Sequence, residues 1–179
     1  MKKENFLTPL YLATAKESIR PIMNYVHFIG DYMYATNAHI LIKQHNCYCN
    51  VIDKEKLDGK IIHRDSFQKI MKFDKVIAKD DCLECYNNKE NSMQIFNYGD
   101  CENKLPVYEQ VLTNIDKIKE ISCVRLNIDW LDIACKCLYT DNNYQKDKGF
   151  IFTFLENNML KIDSKENEFQ IALVMQMLL

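Results

Sequence analysis

Glycine and proline are scarce, with four of one and three of the other in 179 residues. So few glycines leave little for a phosphate-cradling loop, and no nucleophile elbow, His-Glu-x-x-His pair or Asp-rich metal signature is present. An excess of one charge is lacking as well: 23 basic against 25 acidic residues give a net charge of -2 and a sequence pI near 6.1. Composition therefore supplies no general attraction to nucleic acid or to an anionic membrane, and any such contact has to come from local charge placement. Long apolar runs are missing too. Even "FQIALVMQMLL" (169–179) stops at eleven residues and carries Gln170 and Gln176, short of the roughly 20 residues that cross a bilayer. The opening "MKKENFLTPL" has no apolar core of signal-peptide length. The eight cysteines (Cys47, Cys49, Cys82, Cys85, Cys101, Cys123, Cys135 and Cys137) therefore read as free thiols in a reducing cytoplasm, not as a disulfide framework.

What is present is apolar content, 47% of residues, ample for a sizeable core at this length. Asn, Asp and Lys clusters take over the punctuation and divide the chain into similar blocks of roughly sixty residues, each reading as a short helix followed by strands. In the first, "TPLYLATAKES" (8–18) reads as a helix with Pro9 in its first turn. Pro21 separates it from the strand "IMNYVHFI" (22–29), and a Gly30-Asp31 turn leads into the strand "YMYATNAHILI" (32–42). In the second block, "HRDSFQKIMKF" (63–73) reads as a helix capped by Asp65 with Gln68, its Phe67, Ile70 and Met71 on one face. Strands "CLECY" and "SMQIFNY" follow around an "NNKEN" turn. The third block opens with "LNIDWLDIACKCL" (126–138), where Asn127 is the expected N-cap and Ile128, Leu131, Cys135 and Leu138 the expected apolar stripe. Strands "GFIFTFL", "MLKID" and "FQIALVMQM" complete it around the polar "ENN" and "SKEN" turns. A helix packed across antiparallel β-hairpins, repeated, is an α+β architecture with helices on one face of a sheet.

One strand is irregular in content. Thr36 and His39 lie three residues apart in an apolar run, and strict alternation cannot place both on one face. The spacing predicts a turn or bulge at Asn37-Ala38 that lifts both side chains to the rim of a groove. The surrounding run, Ala35-Thr36-Asn37-Ala38-His39-Ile40-Leu41 within "SIRPIMNYVHFIGDYMYATNAHILI", resembles the middle domain of the bacterial DNA polymerase sliding clamp, the beta-subunit family. Two further segments follow in that family's order. "KLPVYEQVL" (104–112) is similar to the proline-containing segment that closes the domain, and "ALVMQMLL" (172–179) to the clamp's C-terminal motif.

The resemblance implies a DNA-clamp-like fold. Residues 1–115 would form one clamp domain of two half-repeats, and residues 116–179 a third half-repeat similar to the end of the last clamp domain. It also implies a groove for a short linear peptide with apolar anchors, carried by replication or repair proteins. Matched position by position, that groove is Thr36, His39, Leu41, Gln110, Val111, Met175 and Met177. Methionines adapt to varied apolar anchors, while a hydroxyl and an imidazole can fix a peptide's polar backbone. The sequence departs from the family pattern at Ile40 and Leu178, where arginine is usual, at Gln110, where a basic residue is common, and at Gln176, which replaces proline.

A clamp also implies sequence-independent contact with double-stranded DNA through basic residues on its helices. At about 100° per residue, Lys69 and Lys72 lie opposite the Phe67 face, flanked by Arg64 and Lys75. On the third helix Trp130, Asp129, Asp132 and Lys136 are expected outward and sum to negative charge, while the first offers only Lys16 and Arg20. An unpaired sheet edge left by three half-repeats invites homo-oligomerisation. The alternative is an interaction adaptor or decoy that does not encircle DNA. Two rivals are weak on residues alone. Cys82 and Cys85 have zinc spacing but no second knuckle and fall on opposite strand faces, and neither His39 nor His63 belongs to a catalytic motif. The expectation is a non-enzyme without cofactor or metal.

Overall fold

The computed structural model describes residues 7–88, 91–100, 106–113, 124–138, 150–164 and 167–177. Among the described residues, eleven strands form a seven-stranded and a four-stranded sheet. In chain order they are β1 (Tyr25–Ile29), β2 (Tyr32–Thr36), β3 (Ile40–His45), β4 (Val51–Ile52), β5 (Ile61–His63), β6 (Lys75–Ala78), β7 (Cys82–Asn87), β8 (Ser92–Asn97), β9 (Phe150–Phe154), β10 (Met159–Ser164) and β11 (Asn167–Met175). The larger sheet runs β5-β1-β2-β3-β11-β10-β9, antiparallel throughout; the smaller runs β4-β6-β7-β8, with only β4 and β6 parallel.

Gly30, at φ 54°, makes the tight β1–β2 turn that the Gly-Asp pair predicts. The strands of the last block continue the sheet of the first, because β11 pairs with β3 from Gln170–Gln44 to Val174–Ile40. This junction encloses polar groups that satisfy one another. Gln44 is fully buried; its Nε2 donates to Gln170 Oε1 at 2.8 Å and its Oε1 accepts from Thr8 Oγ1 at 2.5 Å. A buried amide pair with its bonds made resists slippage of the β3–β11 register, since any shift would strand those groups.

The expected first helix shrinks to a single 3-10 turn, Leu10–Ala13, with both of those residues fully buried. Thr14 ends it: the residue is extended (ψ 156°), and its hydroxyl takes the Tyr11 carbonyl at 2.7 Å. The next strand also starts later than expected, at Tyr25, because Pro21 opens a second 3-10 turn through Asn24. Helix α1 (Arg64–Ile70) buries Phe67 and Ile70 as the spacing predicts, but its cap is His63, whose Nδ1 accepts from Asp65 N at 3.3 Å, and Asp65 lies in the first turn. A short α2 covers Tyr108–Leu112.

Helix α3 (Ile128–Cys137) carries its predicted cap: Asn127 Oδ1 accepts from Asp129 N at 2.9 Å and Trp130 N at 3.3 Å. Of its predicted stripe, Leu138 is buried and Leu131 and Cys135 pack partly buried against the core, but the buried face extends beyond that stripe and leaves out Ile128. Ala134 and Cys137 are fully buried, Trp130 turns inward and is partly covered, and Ile128 is 73% exposed. The packed face is thus wider than the stripe and takes in Trp130. It packs over β3, β11 and the Leu10–Ala13 turn, where it joins the main core with α1.

Candidate peptide-binding groove

The run containing Thr36 and His39 is a hairpin rather than one irregular strand. Asn37 Oδ1 accepts from His39 N at 3.0 Å and Ile40 N at 2.9 Å, an Asn-closed turn, and Ala38 adopts the left-handed conformation at φ 74°. Thr36 Oγ1 donates to Ile40 O at 2.7 Å and accepts from Ala38 N at 3.2 Å. The reversal separates the two polar residues. Thr36 is buried in the β2–β3 ladder opposite Leu41, whereas His39 is exposed at the tip, its ring stacked on Trp130 at 4.3 Å and 9°. The His39 carbonyl accepts from Met175 N at 2.9 Å, fixing the tip to the end of β11.

Beside this tip opens a groove of about 410 Å³. Leu41 and Leu173, both buried, line its floor from β3 and β11. Met23 and Arg20 flank it from the segment before β1, Pro106, Val107, Tyr108 and Val111 from the start and body of α2, and Asn157 and Met159 from the β9–β10 turn. Met175 is 45% exposed at one side. Apolar side chains thus dominate the lining, with the Arg20 guanidinium as its cation.

A locked aromatic layer stands behind the α2 wall. Tyr108 stacks on Tyr34 with ring centroids 4.5 Å apart and planes 4° from parallel. Its hydroxyl meets Nδ1 of the fully buried His27, whose Nε2 lies 2.7 Å from the Ile22 carbonyl. A carbonyl can only accept, so Nε2 carries a proton, and in the neutral ring Nδ1 accepts from Tyr108. Burial favours that neutral form, holding the His27 pKa below the ordinary 6.5 even though the Ile22 bond pulls the other way. Burial likewise pushes the Tyr108 hydroxyl up. Tyr34 is raised by burial and then by Glu109, to which it donates at 3.3 Å and which Lys43 also reaches at 3.5 Å.

No family model matches the sequence, and no curated protein does. Solved structures do match. The DNA polymerase III subunit beta of Borrelia burgdorferi, in complex with a natural product, superposes with a TM-score of 0.65 at 13% identity, covering 100% of this chain and 63% of that one. The same subunit of Pseudomonas aeruginosa gives 0.60 at 11% identity over 96% of this chain and 64% of that one. The sliding clamp of Bartonella birtlesii, bound to griselimycin, gives 0.58 at 15% identity over 96% and 63%. The fold is that of the bacterial sliding clamp. This chain spans less than two thirds of the length of each of those three clamps.

Within the clamp fold, five of the seven residues expected in the groove come together there: Thr36, His39, Leu41, Val111 and Met175. Two do not. Gln110 is exposed and outside the lining, and Met177, whose N donates to Arg125 O at 2.9 Å, is outside it as well. Thr36 is also more inward than expected, because its hydroxyl donates within the turn and leaves only acceptor capacity. Arg20, Met23, Tyr108, Met159 and Leu173 also line the groove and were not named for it, although all but Met159 lie within the three matched segments. Leu173 was reachable: it lies two residues before Met175 on β11, hence on the same strand face.

Of the basic residues expected to face DNA, Lys69 and Lys72 are exposed, one in the last turn of α1 and one just beyond it. Arg64 is instead drawn inward, donating from Nη1 to Thr14 O at 3.3 Å and lying 3.6 Å from Asp65. Lys75 belongs to β6 and sits 5.8 Å from the Tyr86 ring. Among the described residues no three His, Cys, Asp or Glu side chains converge as metal ligands. Cys85 is buried, which raises its thiol to about 12, while Cys82 lies on the other face of β7. Cys101, Cys123, Lys104 and Leu178 lie outside the described residues, and no helix among those described is long and apolar enough to cross a membrane.

Proposed function

We propose that this chain is a non-enzymatic, clamp-type replication accessory protein that tethers or recruits polymerase or repair partners by holding a short linear peptide in this groove. The observation that carries the reading is the groove itself: a mostly apolar trough of about 410 Å³ beside the Thr36–Leu41 hairpin, α2 and the end of β11. These are the elements that the three family-like segments supply. Met23, Met159 and Met175 give a surface that adapts to apolar anchors, Arg20 offers a charge for a peptide carboxylate, and His39 stands at the rim. The Bartonella birtlesii clamp was solved bound to griselimycin, and that compound serves here as the probe of this groove. Saturable griselimycin binding that Met175→Glu weakens at least tenfold supports the reading; binding indifferent to Met175→Glu places the compound elsewhere and opposes it.

Double-stranded DNA is the second proposed partner, contacted through phosphates without base reading. Lys69 and Lys72 carry this part. Replacing both by Glu is expected to abolish retention on duplex DNA and to flatten its salt dependence. Retention unchanged by that double substitution favours the other reading, an adaptor or decoy that binds partner peptides without encircling DNA. That alternative draws on one observation, the diversion of Arg64 into the fold's own bonding, which leaves Lys69 and Lys72 without the third cation expected on α1.

A further inference from the structure

Two walls of the groove share no direct hydrogen bond among the described residues: the 3-10 turn Pro21–Asn24, which brings Met23 to the rim, and α2, which brings Tyr108 and Val111. Both are bonded instead to one buried ring. His27 Nε2 donates to Ile22 O of the turn at 2.7 Å, and in the neutral imidazole Nδ1 accepts from the Tyr108 hydroxyl of α2. The ring is anchored by β1, where His27 is paired with Tyr34 of β2 and Ile61 of β5. Tyr34 in turn stacks on Tyr108, so this groove-lining residue is held by a stack at its ring and by His27 at its hydroxyl. His27 itself does not line the groove.

The link needs one donor and one acceptor on a single planar group, which neutral imidazole supplies and imidazolium does not. With a second proton Nδ1 becomes a donor aimed at the Tyr108 hydroxyl; that hydroxyl then has to turn and accept, and its own proton loses its acceptor in a buried site. The titratable and charged side chains on the elements around the ring are Tyr25 on β1, Tyr34 on β2, His63 on β5, Tyr108 and Glu109 on α2, and Arg20 before the turn. Of these only Tyr108 bonds to it. Glu109 is engaged by Tyr34 and Lys43, and His63 by the Tyr25 ring and Asp65, so among the described residues no carboxylate bonds to the ring to offset an added charge.

We infer that His27 is a positioning residue for the groove: its neutral ring sets the spacing of the two walls, and a proton taken up by that ring loosens them and weakens peptide binding. The role rests on the groove reading and adds an acid-sensitive control to it. Burial disfavours the charged ring and places the change below pH 6.5, so binding is full above that value and falls as the pH drops toward the folded pKa.

The test is fluorescence polarisation of a labelled hexapeptide with leucine and phenylalanine anchors, blocked termini and no ionisable side chain, on the full wild-type chain, His27→Leu, His27→Gln and Tyr108→Phe, with circular dichroism confirming that each is folded. The glutamine amide keeps a donor and an acceptor on one planar group, whereas leucine keeps neither. At about pH 8, His27→Leu and Tyr108→Phe are expected to bind roughly tenfold more weakly than wild type, and His27→Gln to recover most of that loss. Tyr108→Phe carries the comparison should His27→Leu not fold. Between about pH 8 and about pH 5 the wild-type affinity is expected to fall about threefold or more beyond any fall in His27→Gln; His39 at the rim is present in both and cancels. Nitrogen NMR of the wild-type imidazoles needs no substitution and is expected to show His27 protonated at Nε2 alone at neutral pH. Wild-type affinity in a folded Tyr108→Phe or His27→Leu, parallel pH profiles of wild type and His27→Gln, or a ring protonated at Nδ1 at neutral pH would each overturn the inference while leaving the groove reading standing. Absence of binding by wild type at any pH would instead be the failure of the groove reading, and would take this role of His27 with it.

Discussion

The His27–Tyr108 pair permits a quantitative test of what holds the groove wall. Tyr108→Phe keeps the ring and its stack on Tyr34 but leaves His27 Nδ1 buried without a donor; His27→Leu leaves the Tyr108 hydroxyl without an acceptor and frees the Ile22 carbonyl. Stranding a buried polar atom costs about 1–3 kcal/mol, so each single substitution should lower stability by that amount, a Tm drop of about 2–4 °C per kcal/mol at this chain length. The double variant removes both partners together and should be less destabilised than the sum, with a coupling of about 1–2 kcal/mol. Urea denaturation of the four proteins measures this, provided m is constant across them. Additivity within about 0.5 kcal/mol would refute the proposition that the two groups satisfy each other.

Acidification approaches the same pair from the proton side. Burial depresses the folded pKa of His27 below 6.5, so the unfolded chain binds the proton more readily. Its contribution is fully present above pH 6.5 and declines as the pH falls toward the folded value, at up to about 1.4 kcal/mol per pH unit. His27→Leu should remove this component of the slope below pH 6.5; an unchanged slope would mean that the ring is already charged in the fold.

Two local predictions follow from backbone geometry. Asn127→Ala removes the acceptor of two first-turn N–H groups of α3 and should cost about 1 kcal/mol in denaturant unfolding, with Asn127→Asp largely restoring it. Ala38→Gly relieves a left-handed residue at φ 74° and should raise Tm, by a stabilisation of about 0.5–1 kcal/mol; a decrease would mean that the turn tolerates alanine at no cost.

The legible parts of this fold are those where a local rule and the tertiary structure agree. The Gly30-Asp31 turn, the Asn127 cap, the Phe67–Ile70 face and the β7–β8 hairpin each follow from a few adjacent residues. The Asn37-Ala38 reversal was visible as a break in alternation that predicted a turn or bulge; sequence did not choose between them because the left-handed position holds alanine rather than the glycine that marks such hairpins. Leu131, Cys135 and Leu138 of the α3 stripe pack as predicted, but the face is broader than the stripe and omits Ile128, because the helix is apolar nearly all round, from Ile128 through Trp130, Ile133 and Ala134 to Cys137. Period alone does not choose a face there; β3 and β11 do. Motif order located Thr36, His39, Leu41, Val111 and Met175, whereas His27 and Tyr108 meet across 81 residues of sequence and carry no local signal of the bond between them.

The central claim is that the groove beside the Thr36–Leu41 hairpin holds a partner's apolar peptide. The most direct measurement is fluorescence polarisation of a labelled hexapeptide bearing leucine and phenylalanine anchors, titrated with the wild-type chain, Met175→Glu and the surface control Ile151→Lys. Saturable binding at one site per chain, displaced by griselimycin, preserved in Ile151→Lys and lost in Met175→Glu, is the predicted result. Absence of binding by the folded wild-type chain, or equal binding by Met175→Glu, contradicts it.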